Sequence, residues 1–207
     1  MNQIESNPRV RPVVLVLSGP SGVGKDFVLG KLRARPLASS FSAIVTNTTR
    51  AMRVGELQDA DYHFITLAEF QKMIDQNELL EYANVYGNWY GVPKEPVRVA
   101  LAAGRDAIIK VDVQGAQAIK HAIPQAILVF LMPPSLDELA RRLRKRNTEI
   151  QSDFSRRLKT AEEEMTKTPL FDYVIVNESG QVDQVVDKLE TIVATEKLHV
   201  HPLEYNF

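Results

Sequence analysis

The sequence predicts an α/β fold, a three-layer core with a central parallel sheet between helices. Three observations carry this. Short, near-continuously apolar runs recur along the chain, as strands buried on both faces require. Stretches of helical periodicity separate them, and strand–helix–strand order makes right-handed parallel crossovers. The first strand passes into its helix through a glycine-rich junction, Gly19-Pro-Ser-Gly-Val-Gly24.

In chain order, the apolar runs Val13–Ser18, Phe41–Val45, Ala107–Val111, Ala126–Leu131 and Tyr173–Val176 read as strands. Helices are expected over Asp26–Arg35, Lys94–Ala103, Gln114–Ala122, Ser135–Lys145, Asp153–Lys167 and Gln181–Lys197. Ser135 and Asp153 suit N-caps, with Glu138 completing a capping box for the first. Residues 46–93 break the rhythm. They are polar and dotted with aromatics, with one helical stretch, Leu67–Asp75, between Asp61-Tyr-His-Phe-Ile65 and two strand-like runs. This reads as a small mixed-β lobe inserted after the second strand. The last residues, from His199, read as a loosely held tail.

The junction matches the phosphate-binding pattern Gly-x-x-x-x-Gly-Lys-[Ser/Thr] at seven of its eight positions. Glycines let the backbone curl so that successive N–H groups point at phosphate oxygens. The following helix adds free N–H donors and partial positive charge. Lys25 follows the charge of the β- and γ-phosphates. Asp26 stands where a hydroxyl usually reaches Mg²⁺. A carboxylate is itself a hard ligand for that metal.

Composition narrows the rest. At 207 residues, 44% hydrophobic and 25% charged, the chain suits one soluble domain with inserted lobes. No apolar run is long enough for a membrane span, and the N-terminus lacks a signal pattern. The absence of cysteine excludes disulfides and thiol chemistry. A cytoplasmic protein is expected. The net charge of −1 hides eight cations against two anions between Arg141 and Lys159. Such a cluster in a slightly acidic chain suits a polyanion ligand better than a nucleic-acid surface.

Further motifs extend the loop: Thr48-Thr-Arg-Ala-Met-Arg53, Gly55-Glu56, Asp61-Tyr62, Glu81, Tyr86-Gly-Asn-Trp-Tyr-Gly91 and Val111-Asp-Val-Gln-Gly115. In this order they resemble guanylate kinase, which moves a phosphoryl group from ATP to GMP. The resemblance runs from about Val13 to Lys197. It implies that Gly19, Pro20, Ser21, Gly22, Val23, Gly24, Lys25 and Asp26 bind ATP with Mg²⁺; Asp26 departs from the family's hydroxyl, and its carboxylate chemistry makes it the expected metal ligand. It implies that Arg50 and Arg53 grip the GMP phosphate together with Tyr62, Tyr90 and Thr46. Glu81 and Asp112 would read the guanine edge. Arg142, Arg146 and Arg157 would belong to a mobile helical lid flanking the transferring phosphate, with Lys25, Arg142 and Arg157 catalytic. Asn177 would contact adenine. The implied division is a core of 1–45, 94–145 and 168–207, a GMP-binding lobe of 46–93 and a lid of 146–167. ATP and GMP are the expected partners, without nucleic acid or membrane, for a monomer or homodimer.

These residue types suit those roles. Arginine offers paired, permanently charged donors to phosphate. A carboxylate accepts from guanine N1–H and the 2-amino group, whereas adenine shows it a lone pair. Singly, each residue has a plainer reading: a solvated arginine, an exposed strand carboxylate, a packed tyrosine, a capping aspartate. Val92 departs from the family pattern, standing where a Ser or Thr hydroxyl donates to guanine. Three alternatives remain at this point: a related small-molecule kinase such as a sugar-phosphate kinase, a non-catalytic binding module of the same fold, and a nucleic-acid binder using the basic segment.

Overall fold

The computed structural model describes residues 11–35, 40–145 and 151–199. The chain enters through strand β1 (Val14–Ser18), turns through the glycine loop into helix α1 (Lys25–Arg33) and returns as β2 (Phe41–Ile44). It then builds β3 (Asn47–Thr48), β4 (His63–Phe64), α2 (Leu67–Asp75), β5 (Leu79–Val85) and β6 (Asn88–Pro93). Helix α3 (Lys94–Ala102) leads back to β7 (Asp106–Lys110), followed by α4 (Val113–Ala122), β8 (Ile127–Met132), α5 (Leu136–Lys145), α6 (Gln151–Met165), β9 (Tyr173–Val176) and α7 (Val182–Glu196).

Five strands form one sheet in the order β2-β7-β1-β8-β9, every pairing parallel. Strand β1 shows why its sequence is apolar throughout. Val13, Leu15 and Leu17 point into a core with Val28, Leu32, Val185 and Leu189 of α1 and α7. Val14 and Val16 point the other way, onto Val97 of α3 and Ala116 and Ile119 of α4. Both faces are covered, so period-two alternation of polarity is absent. Truncating Leu15 to Ala would cost about 2–5 kcal/mol, as buried leucines do.

Because the strands run parallel, their carboxyl ends share one edge. There the chain switches from β7 on one side of β1 to β8 on the other, where open α/β sheets bind ligands. That edge presents the glycine loop after β1, Thr46 after β2, Lys110 and Asp112 at β7, and Asn177 after β9.

A second sheet, in the order β4-β3-β6-β5, is mixed: β3 pairs with β4 in parallel and with β6 antiparallel. Tyr86 and Gly87, at φ 51° and 81°, make the tight turn between β5 and β6 that positive φ at both positions allows. A register shift between Leu79 and Glu81 interrupts β5, and Leu79, Leu80 and Glu81 are buried in succession. The irregularity is what turns a carboxylate inward on a strand that otherwise alternates.

Most predicted elements match within a residue or two. Two caps differ. Asp153 falls inside the first turn of α6, which begins at Gln151. Ser135 accepts the Glu138 N–H, but the Glu138 carboxylate bonds Arg141, Arg142 and Ser179 rather than closing a capping box. Charged donors within reach outcompete a backbone N–H. Most of the tail predicted after His199 lies outside the described residues.

Candidate active site

The loop between β1 and α1 is shaped by three glycines at positive φ: Gly19 at 135°, Gly22 at 85° and Gly24 at 106°. A Cβ on Gly19 would lie 2.3 Å from the carbonyl oxygen of Leu131, so the loop can pass β8 only without a side chain. Gly24 caps α1 with no side-chain bond, so the first turn of this helix carries no side-chain cap on its N–H donors. Lys25 folds its ammonium back onto the carbonyl oxygens of Gly19 and Pro20. Burial there lowers its pKa, against the pull of Glu164, Asp26 and Asp112.

The loop is braced from behind. Asn177, buried, donates from its amide to the Val23 carbonyl at 2.8 Å. Arg142 donates to Val23 O at 3.2 Å, Asn177 O at 2.9 Å and Ser179 Oγ at 3.0 Å, and to Glu138 at 2.8 Å. Arg142 thus sits on α5 with its guanidinium on core backbone. Asn177, expected at adenine, spends its amide on the loop. Arg157, on α6, reaches Ser21 Oγ at 3.0 Å. Arg146 lies outside the described residues.

Helix α6 brings one group that sequence reasoning missed. Glu164 lies near the Ser21 backbone of the loop and near Lys25, and its carboxyl is pushed up to about 7, chiefly by burial. The lowering influence of Lys25 is opposed by Asp112. The same helix touches the lobe, where Thr160 accepts from the Tyr86 hydroxyl at 3.2 Å and Arg156 lies 4.6 Å from the Tyr86 ring centre.

Asp26 also meets an unforeseen partner. Its carboxylate accepts from the Lys110 ammonium at 2.6 Å. Lys110 Nζ lies 4.2 Å from the Tyr62 ring centre. The signal was present: Lys110 ends an apolar buried strand, where a lone ammonium would be costly.

In the lobe, Arg50 grips both carboxylate oxygens of Glu56, at 2.7 and 2.9 Å. Glu56 also accepts the Arg53 N–H at 2.8 Å. The Arg50 guanidinium lies 5.5 Å from the Tyr62 ring centre and bonds Tyr90. The Tyr62 and Tyr90 rings meet edge to face at 5.9 Å. Arg50, Tyr62 and Tyr90 thus form one cluster. Thr46 is buried and its hydroxyl donates to the Lys110 carbonyl at 3.4 Å. The Arg53 side chain is exposed at the cluster's edge.

Glu81 and Asp112 come together at the N-terminus of α4. Asp112 is the N-cap, accepting from the Gly115 N–H at 2.8 Å. Glu81 lies over Gly115, where an added Cβ would stand 3.2 Å from its carboxyl carbon. Burial, and then the charge of Asp112, push the Glu81 carboxyl up to about 8. Val92, opposite Glu81 in the strand pair, is fully enclosed with Val14, Ile44 and Leu80. Its side chain is a core group, which is why a hydroxyl can be dispensed with there.

The site therefore has a backbone-built anion loop with a lysine, a cation–tyrosine cluster joined to it through Lys110, and a carboxyl pair at the N-terminus of α4. Comparison with known proteins gives the chain's relatives. The family model described as guanylate kinase matches residues 10–196. The chain is 42% identical over 200 residues to guanylate kinase 2, chloroplastic/mitochondrial, of Oryza sativa subsp. japonica, covering 96% of this chain and 70% of that one. It is 40% identical to the guanylate kinase of Carboxydothermus hydrogenoformans, with 93% of each chain covered. A crystal structure of guanylate kinase from Anaplasma phagocytophilum superposes with a TM-score of 0.76 at 33% identity, covering 92% of this chain and 88% of that one.

Proposed function

The chain belongs to the guanylate kinase family, and on that premise we propose how its residues carry the family's reaction. The enzyme transfers the γ-phosphoryl group of ATP to GMP, giving ADP and GDP. The observation that carries our reading is the bridge at Lys110. This one side chain touches Asp26, beside the phosphate loop, and Tyr62, beside Arg50. A donor phosphate on the loop and an acceptor phosphate on the Arg50–Tyr62–Tyr90 cluster would then be neighbours, as direct transfer needs.

The loop N–H groups and Lys25 hold the ATP phosphates, with Arg157 approaching from α6 beside Ser21. Arg142 acts from behind, fixing Val23 and so the loop's curl. Arg50, Arg53, Tyr62 and Tyr90 take the GMP phosphate, and Thr46 supports Lys110 from the strand end. Glu81 and Asp112 accept from guanine N1–H and the 2-amino group. The acceptor is already an anion, so the residues supply position and charge rather than a general base. Contact between α6 and the lobe closes the crevice against water, which limits wasteful hydrolysis.

Magnesium fits this residue set. Among the described residues no group of three or more His, Asp or Glu side chains could hold a metal. Mg²⁺ commonly takes one or two carboxylates with substrate phosphates, and Asp26 offers one at the first turn of α1. When bound, the metal neutralises charge on the β- and γ-phosphates.

A chain without cysteine suits a reducing compartment, and we place the reaction in the cytoplasm. A coupled ADP-release assay with GMP, dGMP, IMP and AMP as acceptors tests the reading. GMP should be the best acceptor and AMP far poorer, since hydrogen-bonding sites discriminate by up to ~10⁴–10⁵-fold in favourable cases. Equal turnover of AMP and GMP would remove Glu81 and Asp112 from the base site.

A further inference from the structure

We propose that Lys110 is itself a phosphate-binding residue of the transfer site, and that Asp26 is its resting partner. The proposal rests on the reading above of where the two phosphates lie.

Strand β7 places Lys110 on the face that looks toward α1. Ile108, two residues earlier, packs in the core cluster shared with α1, and Ile109 packs on the other face. The lysine therefore emerges at the strand's carboxyl end directly beneath the first turn of α1. Three segments meet it there: Asp26 of α1 at 2.6 Å, the Tyr62 ring of the lobe at 4.2 Å, and Thr46 at its own carbonyl.

A purely structural ion pair explains this arrangement poorly. A buried pair is weak support for a fold, and an apolar residue ending β7 would avoid the desolvation cost. The pair is also lopsided. The Lys110 side chain is 10% exposed and that of Asp26 is 45% exposed. It opens on the aspartate side, toward the loop crevice.

Other cations lie near it. The Lys25 ammonium is close enough to feel the charge of Lys110. Arg50 lies 5.5 Å from the centre of the same Tyr62 ring that Lys110 approaches. Each of these cations has a carboxylate of the protein beside it, Lys25 those of Glu164, Asp26 and Asp112, and an incoming phosphate exchanges with that anion. Asp26 supplies such an anion to Lys110, as Glu56 does to Arg50. An ammonium has three donors on a flexible stem, so it can turn from a carboxylate to a phosphate oxygen with little movement. Asp26 is then left to the metal that accompanies ATP.

The test measures GMP affinity by calorimetry without metal, in the parent and in Lys110→Met, Lys110→Arg, Asp26→Asn and the double variant Asp26→Asn/Lys110→Met. Removing both charges leaves no unpaired ion, so the double variant guards against misfolding. Thermal melts confirm the fold of each. Lys110→Met should weaken GMP by ~10-fold or more, as loss of a charge-assisted contact does. Lys110→Arg should recover part of that. Asp26→Asn should tighten GMP by freeing the ammonium, and the gain should vanish in the double variant.

Two results would overturn the proposal. One is unchanged GMP affinity in Lys110→Met. The other is a gain from Asp26→Asn that persists without Lys110, for then Asp26 acts by direct repulsion. Arg50→Ala separates the two levels of inference. If it weakens GMP and Lys110→Met does not, only the role of Lys110 falls. If neither weakens GMP, the acceptor phosphate is misplaced and both readings fall.

Discussion

The phosphate loop and the inserted lobe solve one problem, holding a phosphate, by different means. The loop is backbone chemistry. Three glycines set its curl, a helix N-terminus adds donors, and Asn177 and Arg142 lock it from behind through Val23. The lobe is side-chain chemistry. Arg50, Tyr62 and Tyr90 come from separate segments and depend on each other's rings and charges. Their treatment of charge in the empty state also differs. In the lobe, Arg50 is paired by a bidentate carboxylate, that of Glu56. At the loop, Lys25 rests on carbonyl oxygens, with the Glu164 carboxyl nearby but no ion pair of the kind Arg50 makes among the described residues. A backbone cradle is preorganised and needs little rearrangement to accept an anion. A side-chain cluster must exchange an internal anion for the ligand, so its affinity depends on what it gives up.

The largest effect should come from the preorganised side. Lys25→Ala leaves the loop's glycines and braces intact, so nucleotide should still bind, but the cation for the transferring group is gone. Turnover should fall by roughly 10²–10³-fold or more, in the range for losing one preorganised electrostatic donor. Steady-state kinetics and an ATP binding isotherm check it. A comparable loss of affinity and turnover would mean that the lysine, not the backbone, builds the cradle.

The same contrast explains what was legible beforehand. The loop is contiguous, so strand, glycines, lysine and helix lie in one reading frame with their period and spacing. The lobe's cluster is assembled from positions 50, 62 and 90. No local pattern joins them, and only the likeness of the whole order to a known family linked them. Lys110 was an anomaly in plain view, a charge ending an apolar strand, but its partner lies 84 residues away. Glu164 was hidden in an ordinary helical pattern of glutamates. The contacts of Arg142 with the Val23 and Asn177 carbonyls were equally out of sight, because charge alone does not distinguish a solvated helix face from a brace on backbone carbonyls.

Glu81 probes the lobe's dependence on charge state. Its carboxyl keeps a proton to about 8 in the empty site, whereas guanine presents two donors that a carboxylate accepts best. GMP binding at neutral pH should therefore release a proton, seen as a buffer-dependent heat in calorimetry. Glu81→Gln should abolish that release and weaken GMP by ~10-fold. The free enzyme gives an independent reading. Between pH 4.5 and about 8 the unfolded chain has lost this proton while the folded chain retains it. Folded protein then binds more protons, and stability falls as pH rises through that window. The Gln variant lacks this loss, so its melting temperature should gain on the parent from pH 5 to pH 8. A constant difference would mean that Glu81 is ionised in the free enzyme.

The smallest effect is expected where a side chain intrudes on the backbone cradle. Glu164 lies near the Ser21 N–H and within the influence of Lys25 and Asp112, with a carboxyl that titrates near 7. Below that pH it is neutral and ATP meets no added charge. Above it the carboxylate competes for a loop donor and repels the incoming phosphates. Glu164→Gln should therefore bind ATP about as tightly as the parent at pH 6 and a few-fold more tightly at pH 8. Comparing the two proteins at each pH cancels the titration of ATP itself. Calorimetry at both pH values, with Mg²⁺ held constant, makes the measurement. A variant that binds ATP more weakly at both would show that the Ser21–Glu164 contact shapes the loop for phosphate instead of opposing it. The cradle would then share the lobe's reliance on a side-chain carboxylate, and the contrast between the two regions would narrow to their cations alone.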